Sequence, residues 1–237
     1  MSLTDTLTPQ ILCSSGATPG PGVFRSEQNE GMKRFCNLLL VVFVAVFSQT
    51  ALAEPIEPPR QPVEKLNARL IDVMKDAKRL GYAGRYKKLE PVVQEVFQFE
   101  AIAQIALGSH WNNLDPSQKQ TFIAKLTELS IATYASQFDA YDGQTFRYDS
   151  TEATKPDRAI VRYTMLAPNG KPVKFDYILN QSNGQWAIIN IIVDGISDLA
   201  LKKAQYTSVI DREGFNSLMN KLSQKITDYA SKNTSSG

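Results

Sequence analysis

The chain has 237 residues, with 26 Lys and Arg against 24 Asp and Glu and a formal net charge of +2. So mild a basic excess argues against nucleic acid as a partner, which needs a concentrated basic face. A single histidine excludes any metal site built on two imidazoles.

Residues 1–31 are polar and rich in Gly, Ser, Thr and Pro, without usable periodicity. They read as a leader upstream of a true start at Met32. There Lys33 and Arg34 precede an apolar run over residues 35–47, broken only by Asn37, and Ala51-Leu52-Ala53 follows. A basic start, an apolar core and a small-residue site are the parts of a secretory signal peptide. The expectation is a signal over 32–53, cleaved after Ala53, with Ala51 and Ala53 filling the peptidase's small-residue positions. An uncleaved anchor is the alternative, but a span needs roughly 20 apolar residues. Cleavage removes Cys13 and Cys36, and with them disulfides, thiol catalysis and thiolate metal sites. The mature protein keeps its small positive charge and works outside the cytoplasm.

Residues 54–61 are Pro-rich and read as an extended tether. Residues 62–232 read as one domain, and 233–237 as a frayed tail. Leu66, Leu70, Val73, Met74, Ala77 and Leu80 recur at helical steps, and Gly81 suits the end of that helix. A second helical stretch over 85–97 contains Pro91, which should break or kink it. A short apolar helix over 99–107 ends at Gly108. Asp115-Pro116 opens a long helix to about Tyr141, with a capping carboxylate and a proline in the first turn. One of its faces carries Phe122, Leu126, Leu129, Thr133 and Tyr134, continued by Phe138 and Tyr141.

Beyond Gly143 the pattern turns to strands, over 145–150, 159–167, 172–180 and 185–193. Pro168-Asn169-Gly170-Lys171 and Gln181-Ser182-Asn183-Gly184 join the last three, and Asn-Gly suits tight hairpins. Successive hairpins predict an antiparallel meander. In the third strand Val173, Phe175, Tyr177 and Leu179 alternate with more polar residues. The fourth is apolar on both faces, Trp186, Ile188 and Ile192 on one and Ala187, Ile189, Ile191 and Val193 on the other. Helices could cover both faces, or part of the surface could line a ligand cavity. Asp194-Gly195 reads as a strand-ending turn. Helices follow over 197–207 and 214–231.

Catalytic chemistry has little to stand on. His110 lies beside Trp111 in a connection between helices and reads as structural or at the surface. The carboxylates are scattered over turns and caps, and there is no G-x-S-x-G elbow and no Gly-rich phosphate loop. No metal, cofactor or catalytic residue is expected. Two rival readings stay open: a small-substrate enzyme on an NTF2-like cone, and an interaction module without a ligand.

Several segments in order resemble a known family. Ala106-Leu107-Gly108-Ser109-His110-Trp111, then Leu114-Asp115-Pro116-Ser117-Gln118-Lys119, resemble the L-G-x-x-W…P-x-Q-[KR] pattern of the MlaC, or toluene-tolerance, family of periplasmic lipid carriers. Ala132-Thr133-Tyr134-Ala135, Asp176-Tyr177-Ile178-Leu179, Trp186, Asp194-Gly195-Ile196-Ser197 and Gly214-Phe215 continue the likeness over residues 89–226. Residues 130–135 and 197–203 are similar to the hopanoid-associated HpnM branch. The resemblance implies an α+β domain with NTF2-like character. Its N-terminal and C-terminal helices pack around a curved four-stranded antiparallel sheet that encloses an apolar cavity. It also implies a membrane lipid, hopanoid or phospholipid, as ligand, with an inner-membrane transport complex and an outer-membrane donor or acceptor as partners. The candidate cavity wall is Leu107, Trp111, Phe122, Leu126, Leu129, Tyr134, Phe138, Phe175, Tyr177, Ile192 and Ile196. Any solid core would show the same stripes.

Overall fold

Pro62 in the first turn and the apolar spacing Val63, Leu66, Leu70, Val73 start the first helix, α1 (Gln61–Lys75). The structure is a computed structural model that describes residues 58–234, apart from Asn169. The leader, the signal with its Ala51 and Ala53, the first half of the tether and the last three residues lie outside the described residues. Helix α1 stops five residues before the predicted end at Leu80. It breaks at Asp76, whose carboxylate accepts a hydrogen bond from Arg79 Nε at 2.9 Å, so the polar turn competes with the helix. Gly81 does leave the helical conformation, at φ +58°.

The next helix, α2 (Ala77–Val96), runs on through Pro91, contrary to the predicted break. Pro91 is exposed, so the carbonyl that its missing N–H leaves unpaired faces water. Phe97 is extended and bridges Ile188, and the Gln98 N–H donates to the Ile188 carbonyl at 3.0 Å. Helix α3 (Phe99–Leu107) and a 3₁₀ turn (Gly108–Asn113) lead to α4 (Pro116–Gln137). Asp115 and Gln118 close a full capping box at its start. Helix α4 ends four residues before Tyr141, with Phe138 already out of helical conformation.

The strands are β1 (Thr145–Lys155), β2 (Arg158–Leu166), β3 (Val173–Ser182), β4 (Gln185–Val193) and the short β5 (Ile196–Ser197). They form one antiparallel meander in the order β1-β2-β3-β4-β5, open at both edges. Strand β1 is five residues longer than its apolar pattern suggested, because its second half is a polar edge that pairs with β2 as far as Lys155 and Arg158. Asn183 (φ +51°) and Gly184 (φ +77°) form the two-residue turn between β3 and β4. Asp194 and Gly195 turn the chain into β5, also at positive φ.

One register shift changes the face assignment in β4. Ile178 pairs with Asn190 but Leu179 pairs with Ile188, so Ile189 is an extra residue, a β-bulge. Beyond it Ile191 stands opposite Tyr177 and Val193 opposite Phe175, on the face that carries Leu179 and Ile188. Ile192 stands opposite Asp176 on the other face. The predicted faces from Ile189 to Val193 are therefore interchanged, and Ile192 does not share a face with Phe175 and Tyr177. A period of two turns every later side chain over when one residue is inserted.

Helices α5 (Asp198–Glu213) and α6 (Phe215–Thr234) complete the chain; α6 takes in the first two residues of the predicted tail. Helix α4 packs on α2, α6 and α3, while α1 and α5 reach the sheet at β4. Arg85, buried in α2, joins these layers: its Nε donates to the Ala135 carbonyl at 2.7 Å and Nη1 to the Ala77 carbonyl at 3.2 Å. One connected apolar core runs through helices and sheet. Each fully buried Leu or Phe in it stabilises the fold by about 1.5–3 kcal/mol.

Candidate functional site

The inner face of the sheet is aromatic. Phe146 meets Phe175 edge-on at 5.7 Å, Tyr148 meets Tyr163 at 5.6 Å, Tyr163 meets Tyr177 at 6.2 Å, and Phe175 stacks on Tyr177. Helix α1 and the turn before it lie across this band. Arg60, Glu64 and Asn67 follow at steps of four and three, so they share one helix face. Each meets a tyrosine on a different strand. The Arg60 guanidinium sits 3.9 Å from the centre of the Tyr148 ring. The Tyr163 hydroxyl donates to the Glu64 carboxylate and receives Arg60 Nε at 3.0 Å. The Tyr177 hydroxyl donates to Asn67 Oδ1 at 2.8 Å. Burial pushes the Tyr163 and Tyr177 hydroxyls well above the usual tyrosine pKa; for Tyr163 the adjoining Glu64 carboxylate adds to the rise.

Asn67 is only 2% exposed, and its Nδ2 has no hydrogen-bond partner. An enclosed donor left unpaired costs about 1–3 kcal/mol.

A second aromatic chain crosses the interior on the helical side. Tyr134 lies 5.9 Å from Phe138 and 6.0 Å from Phe97, and Phe97 lies 5.7 Å from Phe99. Tyr134 is deep enough for burial to push its hydroxyl far above the usual range, with Asp198 adding to it. Part of its surface nevertheless stays accessible. Phe97 also lines a pocket of about 590 Å³ that opens between α2 and α4. Its lining includes Tyr86, Phe97, Phe99, Ile123 and Ile131, with Glu90 and Glu128. The volume falls within the range of small-molecule sites. Burial, then Glu128 and Glu90, push the Tyr86 hydroxyl up to about 12.

The structure divides the eleven predicted wall residues. Phe175, Tyr177, Tyr134 and Phe138 belong to the two aromatic groups. Leu107, Trp111, Phe122, Leu126 and Leu129 are buried within the helical layers, Phe122 against Tyr206 and Phe215. Ile192 is on the outer sheet face and Ile196 is 47% exposed. None of the eleven lines the pocket between α2 and α4. His110 bonds through Nε2 to Asp211 Oδ1 at 3.0 Å, a link from the 3₁₀ turn to α5.

Sequence reasoning missed the polar stripe of α1 because only its apolar residues were weighed. The signal was present: Glu64 and Asn67 interrupt the face of Val63, Leu66 and Leu70 at helical spacing. Tyr163 was equally visible, on one strand face with Val161 and Met165 and alternating with Arg162 and Thr164.

Among the described residues no three His, Cys, Asp or Glu side chains are placed to hold a metal ion, and no helix is long and apolar enough to cross a membrane. The fold and interior define a class: an open antiparallel meander whose aromatic face is covered by helices. Within it the chain belongs to the MlaC protein family, whose profile matches residues 64–224. It is 22% identical over 207 residues to the intermembrane phospholipid transport system binding protein MlaC of Haemophilus influenzae, covering 83% of this chain and 94% of that one. It is 24% identical over 196 residues to the toluene tolerance protein ttg2D of Pseudomonas putida, covering 81% and 87%. A phospholipid-binding protein of Ralstonia solanacearum, solved in complex with a phospholipid, superposes with a TM-score of 0.63 at 26% identity. That match covers 73% of this chain and 99% of the other. The names of these relatives describe binding, transport or tolerance, not catalysis.

Proposed function

We propose that this chain is a periplasmic lipid carrier. It takes up a membrane lipid, phospholipid or hopanoid, and moves it between the inner and outer membranes as the binding component of a transport system. The observation that carries this reading is the fold shared along nearly the whole length of a protein solved with a phospholipid in place. The aromatic interior suits the task. A lipid crossing water exposes its tails at about 0.8 kcal/mol per methylene, and Phe175, Tyr177, Tyr134 and Phe138 offer apolar surface instead. The likeness of residues 130–135 and 197–203 to the hopanoid-associated branch keeps a hopanoid among the candidate lipids. Partners of this function are an inner-membrane transport complex and an outer-membrane donor or acceptor.

Native mass spectrometry of the protein purified without detergent tests the proposal. Adducts with the mass of one membrane lipid are expected, and extraction of the same sample identifies the lipid. A protein that carries no lipid, and takes up none from vesicles, overturns it.

A further inference from the structure

Asn67 points to a specific contact within the carrier reading, on which this inference rests. The side chain is enclosed, its Oδ1 is occupied by the Tyr177 hydroxyl, and its Nδ2 has no partner. A water on that donor would have to find its two to four partners among groups already bonded, the Tyr177 hydroxyl to Asn67 Oδ1 and Glu64 to Tyr163 and Arg60. On this stretch of α1 Leu66 and Leu70 belong to the apolar core, the Tyr177 ring packs on Tyr163 and Phe175, and Glu64, one turn away, is already bonded to Tyr163 and Arg60. A ligand that suits such a place carries a single acceptor oxygen within hydrocarbon. The carbonyl that joins an acyl chain to glycerol is such a group.

We infer that Asn67 Nδ2 donates a hydrogen bond to an acyl-ester carbonyl of the bound lipid, with Tyr177 holding the amide in the orientation that presents the donor. Asn67 thereby favours diacyl lipids over lipids of equal length that lack a carbonyl. The lipid reaches it by displacing side chains that close over the donor in the ligand-free form.

The test compares uptake from vesicles of diacyl phosphatidylglycerol with uptake from vesicles of its dialkyl ether analogue, chain lengths matched. One neutral hydrogen bond predicts that the wild-type protein prefers the diester by about five-fold. Asn67→Leu removes the donor and should take up both lipids equally. Asn67→Leu combined with Tyr177→Phe removes the stranded hydroxyl as well, for use if the single variant folds poorly. The wild-type comparison needs no variant. Equal uptake of diester and diether by the wild-type protein overturns this inference and leaves the carrier reading standing. A preference that persists in the folded variants overturns it too. Uptake of neither lipid overturns both.

Discussion

Ile191 stands directly opposite Tyr177 across β3 and β4, and its neighbour Ile192 stands opposite Asp176. The bulge at Ile189 produces this arrangement, and it assigns two chemically identical residues to different faces. Ile191 packs against the core and Ile192 is not part of it. Ile191→Lys should therefore cost about 2–3 kcal/mol, because a charge would be drawn against apolar side chains. Ile192→Lys should change stability by less than about 1 kcal/mol, since the ammonium would lie opposite a carboxylate. Urea denaturation of the two variants checks the bulge; equal losses would restore strict alternation.

Six tyrosines, Tyr82, Tyr86, Tyr134, Tyr163, Tyr177 and Tyr206, have pKa values raised first of all by burial. In the unfolded chain a phenol loses its proton near pH 10. The folded protein therefore holds protons that the unfolded chain has released, and stability falls as pH rises. The contribution is complete below about pH 10 and is lost through higher pH, for Tyr86 through about 12. Thermal midpoints should decline steadily from pH 9 upward, and tyrosinate absorbance should rise together with unfolding. Full ionisation of all tyrosines with the midpoint unmoved would refute the burial argument.

Leu126 is fully buried where α4 packs on its neighbouring helices, whereas Tyr134 keeps accessible surface deep in the interior. Leu126→Trp should overpack, costing about 1–3 kcal/mol, with lipid load per folded molecule unchanged. Tyr134→Trp, enlarging a ring that keeps accessible surface, should keep the midpoint and lower the load. Calorimetry with native mass spectrometry separates the two effects. The opposite pattern would move the cavity to the Leu126 side of α4.

Ala51 and Ala53 frame the expected cleavage, so protein recovered from the periplasm should begin at Glu54. Ala53→Arg should block maturation, because a long charged side chain does not fit a small-residue site. N-terminal sequencing decides it; an exported protein that retains Met32 would make the apolar run an anchor.

What the sequence determined by itself was local. Asp115-Pro116 and Gln118 start α4 because the cap is made within one turn. Asn183-Gly184 closes a hairpin because both residues tolerate positive φ, and β3 alternates because a strand has a period of two. The family, too, was legible from short segments in order. Tertiary structure alone decided the rest. Pro91 stays within α2 because its position faces solvent, and β1 extends to Lys155 because β2 pairs with it rather than because of its own apolar content. The bulge at Ile189 depends on how β3 and β4 align, and it removes Ile192 from the inner face. The meeting of Asn67 with Tyr177 joins residues 110 positions apart. No spacing encodes such a contact. It exists because α1 crosses three strands at an angle that sets its successive turns against successive tyrosines.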